Sequence, residues 1–200
     1  MTTRTALDVS HLPAYVFGPR GLMWWGTMGL LAIEGTMFAI LIATYFYLRL
    51  YVHEWPPHVP PPDLFYGTVN TLVLLISAVP NEWVKRAATR QERRTVRLGL
   101  VVCLAFAAVF LTLRAFEFQA LHCRWDTNAY GSAVWTIMGF HTFHLVTDML
   151  DTAVLTALMF TGRIEGTRFV DVYENAVYWY FVVGVWLPLY AVVYVAPRLL

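Results

Sequence analysis

Long apolar runs separated by short polar stretches dominate the 200-residue chain. A helix needs about 20 mostly apolar residues to cross roughly 30 Å of hydrocarbon, and it satisfies its own backbone amides on the way. Five segments meet that requirement: 22–48, 64–84, 98–118, 129–160 and 175–197. The pattern therefore predicts an all-α fold, a polytopic transmembrane bundle of five helices. Pro80, Asn81 and Glu82 predict that the last turn of the second span is kinked or already interfacial, and Pro197 is expected to close the fifth. Trp24, Trp25, Tyr45, Tyr47, Trp83, Trp125, Tyr178 and Trp179 fall near span ends and read as an interfacial aromatic belt. Connections are short, except that residues 54–63 carry five prolines in EWPPHVPPPD. That composition predicts a stiff, extended spacer between the first two helices. With no internal repeat and no long linker, residues 1–200 are expected to form a single transmembrane domain.

Composition strengthens this picture. Hydrophobic residues make up 58% of the chain and charged residues only 14%, which is too apolar for a soluble surface. The net charge of +1 gives no basis for a nucleic-acid partner. Cys103 and Cys123 are the only cysteines, so neither a disulfide framework nor a paired-cysteine metal or redox motif is available. The first 20 residues lack an apolar stretch and do not read as a cleavable signal.

Charge also assigns a direction. The stretch KRAATRQERRTVR holds six of the fourteen Lys and Arg residues, so the second loop is expected on the cytoplasmic side or its mitochondrial equivalent. Alternation places the short N-terminal segment 1–21 (Arg4, Arg20) and the fourth loop (Arg163, Arg168) there too. Only Arg49, Arg124 and Arg198 remain for the other face. The expected topology is N-terminus cytoplasmic and C-terminus outside, which demands an odd number of crossings.

Ionisable residues within the spans are costly unless they find a partner, a wet cavity or a function. Glu34 stands alone in the first span, between the small residues Gly29 and Gly35 that would let another helix approach. It reads as a proton-related or partner-facing carboxyl, or as an acid hydrogen-bonded across a helix interface for packing alone. His141, His144, Asp148 and Asp151 are spaced three, four and three apart, which puts them on one stripe of the fourth helix. A proton relay, a metal or haem site, and a plain polar seam all fit that composition, and the plain seam is the simplest. Arg114 and Glu117 read as a pair snorkelling to the interface, with a lipid phosphate on Arg114 as the other possibility. Signatures for nucleotide binding, hydrolysis or iron–sulfur clusters do not occur.

Taken together, WWGTMGLLAIEGTMFAILIATYFYLR, PDLFYGTVNTLVLL, YGSAVWTIMGFHTFHL and YWYFVVGVWLPLYAVVY resemble subunit III of the haem-copper terminal oxidases, in order and spacing, from about Trp24 to Pro197. The resemblance implies a cofactor-free subunit that packs on oxidase subunit I, alongside other subunits including subunit II. Haem and copper would then sit in those partners, with phospholipid bound to this chain. It matches Glu34 to the family's intramembrane glutamate, Glu117 to its acid near a helix end, and His141 and His144 to its GFHxxH motif. It further implies the five-helix form of the family, which lacks the first two helices of larger members and the lipid cleft that they help to form.

Two departures are informative. Where the family commonly reads WHFVD, this chain has Trp179, Tyr180, Phe181, Val182 and Val183, and Asp148 stands where a glycine is usual. We therefore expect the polar seam to be rebuilt from the fourth helix. The implied function is a non-catalytic subunit of a bacterial cytochrome c oxidase that supports assembly, lipid binding, proton uptake and turnover stability. Its alternatives are a quinol oxidase subunit III, a nitric oxide reductase accessory protein, a small proton-coupled transporter and a membrane haem protein.

Overall fold

The computed structural model describes residues 15–52, 54–57, 59–161 and 166–199. Most of the N-terminal segment and Arg163, both used to assign direction, lie outside that set. Among the described residues the structure is all-helical, with five helices long and apolar enough to cross a membrane. They are α1 (Leu22–Arg49), α2 (Leu64–Thr89), α3 (Arg93–Gln119), α4 (Ala129–Thr161) and α5 (Gly166–Leu199).

Three boundaries differ from expectation, for identifiable reasons. Helix α2 continues through Pro80 and past the expected end at Val84 to Thr89. The side chain of Asn81 donates from Nδ2 to the Ala176 carbonyl at 2.9 Å, tying the turn after the proline to α5. Most of the basic stretch is consequently helical, as the end of α2 and the start of α3, with a tight reversal at Arg90–Glu92 through the left-handed Gln91 (φ 58°). Helix α5 begins at Gly166 rather than near residue 175, so Arg168, Asp171 and Glu174 belong to it. Pro197 lies inside its final turn, Ala196–Leu199. A π turn at Ala191–Val195 precedes that turn, after Pro188. The proline deprives the ladder of one donor, a common origin of such irregularity.

Helices α2, α3, α4 and α5 pack around a shared interior, whereas α1 lies outside it, packed chiefly against α4 and α5. Phe38 and Tyr45 are the buried residues of α1. Contacts between connections sort the helix ends. At one end Gln91 Nε2 donates to the Tyr15 hydroxyl at 2.6 Å, and Tyr15 also lies against Gly166. At the other end Asp63 N donates to Ala120 O at 3.4 Å, and Arg198 Nη2 donates to Pro62 O at 2.6 Å. The second end also carries the docked spacer. Trp55 is 6% exposed, and its ring lies 5.2 Å from Tyr45 and 5.1 Å from Tyr130. The proline-rich connection thus presents one tryptophan to the interior, while Asp63 caps α2 by accepting from Phe65 N at 3.1 Å.

The aromatic belt is only partly realised. Trp25, Tyr47, Trp83 and Trp125 are exposed, but Tyr45 and Trp179 are buried. Trp179 donates to Ser77 Oγ at 3.0 Å, so these two rings serve helix packing rather than the interface.

Candidate functional site

Two polar centres lie in the bundle, and the stripe on α4 divides between them. The inner centre is built on Arg114 and Glu117 of α3, whose charged groups are 3.0 Å apart and 1% exposed. Glu117 Oε2 accepts from Asn70 Nδ2 at 2.7 Å, and Oε1 accepts from the Tyr194 hydroxyl at 2.5 Å. Both carboxylate oxygens are therefore satisfied by neutral donors as well as by the guanidinium, which is what permits a charge in this interior. Arg114 lies 4.0 Å above the Trp186 ring, and its Nη2 is 3.2 Å from His141 Nδ1. A guanidinium can only donate, so Nδ1 accepts and the imidazole proton sits on Nε2. From there it donates to the Val182 carbonyl at 3.1 Å.

This corrects the expectation of a snorkelling pair. Arg114 reaches neither interface nor lipid phosphate, because Met138 and His141 of α4 and Trp186 of α5 enclose it, and Tyr194 closes over Glu117. The π turn brings Tyr194 inward, and Gly67 makes room for its ring. A methyl group at Gly67 would lie 2.5 Å from Tyr194 Cζ, closer than carbon atoms can pack.

The outer centre joins α1 to α4. His144 Nε2 is 3.6 Å from Glu34 Oε1. His144 Nδ1 lies 2.6 Å from the Phe140 carbonyl, which can only accept, so that nitrogen carries hydrogen. At 3.6 Å the imidazole and the carboxyl face each other across a gap longer than a direct hydrogen bond. Phe38 packs on the His144 ring at 5.0 Å and screens it from the inner centre.

Asp148 and Asp151 continue the outer line one and two turns further along α4. Asp148 is 5% exposed, whereas Asp151 is exposed and does not share its burial. Of the seven residues singled out in the sequence, Arg114, Glu117 and His141 meet in the inner centre. Glu34, His144, Asp148 and Asp151 line the outer one. Sequence reasoning passed over Asn70 and Tyr194, whose neutral side chains complete the cage around Glu117. A polar Asn70 within VNTLVLL was the available signal. It also passed over Glu174, buried on α5 but placed before the expected start of that span. Among the described residues, no group of three or more His, Cys, Asp or Glu side chains is placed to hold a metal ion.

These features define a multi-pass helical membrane protein with paired, interior ionisable groups. Residues 18–197 match the family model for cytochrome c oxidase subunit III, and the chain belongs to that family. It is 28% identical over 174 residues to cytochrome c oxidase subunit 3 of Thermostichus vulcanus, covering 86% of this chain and 87% of that protein. The corresponding protein of Synechocystis is 25% identical over 193 residues, 94% of this chain and 83% of its own length. A haem-copper oxidase subunit I+III of Aeropyrum pernix is 27% identical over 198 residues, 92% of this chain and 24% of that longer protein. Family membership places the chain in an oxidase complex.

Proposed function

We propose that this chain is the non-catalytic, cofactor-free subunit III of a respiratory haem-copper oxidase, a cytochrome c oxidase of a bacterial cytoplasmic membrane. Its N-terminus and basic turn face the cytoplasm. It holds the oxygen-reducing, proton-pumping complex together through contacts with subunit I, carries bound phospholipid, and sustains proton uptake and stability during turnover. The family match across residues 18–197 carries this reading. Two further observations support it. Helix α1 exposes Ile33 and Ile40 on one face, which suits another helix or lipid. A relative whose name joins subunits I and III in one chain fits a close association of the two. The inner centre is closed by its own side chains, which suits a scaffold.

The test uses the purified complex with and without this chain. Both preparations are expected to show the same haem absorption spectrum and initial oxygen consumption, while the depleted complex loses activity several-fold sooner during sustained turnover. Equal lifetimes, or haem absorption retained by the isolated chain, would contradict the proposal.

A further inference from the structure

Asp148 lines a second space besides the outer centre. Helices α2, α3, α4 and α5 enclose a cavity of about 20 Å³ whose polar wall is Ser77, Asn81, Cys103, Asp148, Thr152 and Asn175. Ser77 and Asn81 stand four apart on α2, as do Asp148 and Thr152 on α4, so each pair turns two polar groups to the same side. All four are 4–5% exposed. The volume admits one particle the size of a water molecule. A bare sodium ion is smaller than that.

The neutral groups on this wall have turned their donors elsewhere. Asn81 Nδ2 donates to the Ala176 carbonyl at 2.9 Å, and Asn175 Nδ2 donates to Thr152 Oγ1 at 3.0 Å. The Ser77 hydroxyl donates to the Leu74 carbonyl at 2.5 Å while accepting from Trp179 Nε1 at 3.0 Å. What remains for the space is oxygen: two amide carbonyls and the lone pairs of two hydroxyls. Asp148 adds a carboxyl whose Oδ1 has no hydrogen-bond partner among the described residues. The other ionisable groups on the cavity, or on the pocket at the opposite side of Asp148, are Cys103, Glu34, His144, Asp151 and Tyr178. No lysine or arginine is among them, so the chain supplies no permanent positive charge to a carboxylate buried where only a paired one is tolerated.

We infer that this cavity is a sodium site, in which an ion paired with Asp148 of α4 is shared with the side-chain oxygens of α2 and α5. A proton would answer the carboxyl alone, and a water can give hydrogens to two acceptors at most. A cation serves every oxygen on the wall, and its single charge balances that of Asp148. One anionic and several neutral oxygen ligands suit a hard, singly charged ion. Calcium is normally held by more carboxylate, and transition metals by imidazole or thiolate. Asp148 lies between the cavity and the pocket beside Glu34, which gives the ion a way in past its side chain. Such an ion ties α2, α4 and α5 together, and the site belongs to the fold of this chain whatever complex the chain joins.

The test uses the assembly purified through this chain in mild detergent, with choline chloride replacing sodium chloride at equal ionic strength. Equilibrium binding of radioactive sodium should show a saturable equivalent in the wild type that Asp148→Asn lacks. Sodium should also raise the temperature at which the assembly sheds this chain by roughly 2 °C or more in the wild type, and not in Asp148→Asn. Thr152→Val keeps the carboxyl and the side-chain shape but removes one oxygen, so it should weaken sodium binding at least about tenfold. It reports on the site even where Asp148→Asn fails to assemble. Equal sodium binding in the wild type and Asp148→Asn, or equal stability in the two salts, would overturn the site, as a neutral carboxyl sharing the space with water would give. Wild-type affinity in Thr152→Val would overturn the cavity as the place where the ion sits.

Discussion

Glu117→Leu is expected to destabilise the chain by about 3–5 kcal/mol, the usual cost of leaving one member of a buried ion pair alone. Arg114 would keep its charge at 1% exposure among His141, Met138 and the rings of Phe110 and Trp186, none of which carries a compensating negative charge. Asn70 Nδ2 and the Tyr194 hydroxyl would lose their acceptor at the same time. Arg114→Met should be damaging for the mirror-image reason, since it strands the carboxylate. The double variant Arg114→Met/Glu117→Leu removes both charges, so its cost should fall below the sum of the singles by at least about 2 kcal/mol. Thermal unfolding of the purified chain in detergent supplies the cycle. Additive effects would mean that the two groups do not act as one unit.

The second large effect is functional. Glu34→Ala is expected to weaken the hold of the chain on its complex and to speed inactivation during turnover about threefold or more, with no change in haem absorption. Glu34 meets His144 at 3.6 Å, so His144→Leu should produce a similar loss. The double variant should be no worse than the more affected single, because either change dissolves the same pair. Activity decay recorded in an oxygen electrode, with spectra taken before and after, makes the comparison. An altered haem spectrum in a fully assembled complex would move Glu34 from the periphery to the redox centre and contradict the account.

The bundle itself was legible because hydrocarbon imposes length and polarity so strictly that apolar runs alone marked five helices. The helix ends were less so. Near an interface charged residues are tolerated, so the first turns of α5, with Arg168, Asp171 and Glu174, looked like a loop. The basic turns of α2 and α3 were hidden in the same way. Spacing placed His141, His144, Asp148 and Asp151 on one stripe of α4, and the structure keeps them there. What spacing could not reveal is which helix each meets. A stripe spans enough of the circumference that His141 turns to Arg114 of α3 while His144 turns to Glu34 of α1. Arg114 and Glu117 were misjudged for a related reason. Position along α3 suggested the interface, but enclosure comes from Tyr194 on the π turn and from Asn70, both distant in sequence. The resemblance to subunit III of haem-copper oxidases was readable in four segments and agrees with the match over residues 18–197.

The central claim is that this chain works as a subunit of a haem-copper oxidase, and purification through a tag on the chain, in mild detergent from its own membranes, tests it most directly. The account predicts a haem- and copper-containing subunit I recovered in equal amount with this chain, with oxygen-consuming activity in the same fraction. Recovery of the chain alone, or with partners that carry neither haem nor copper, would contradict it.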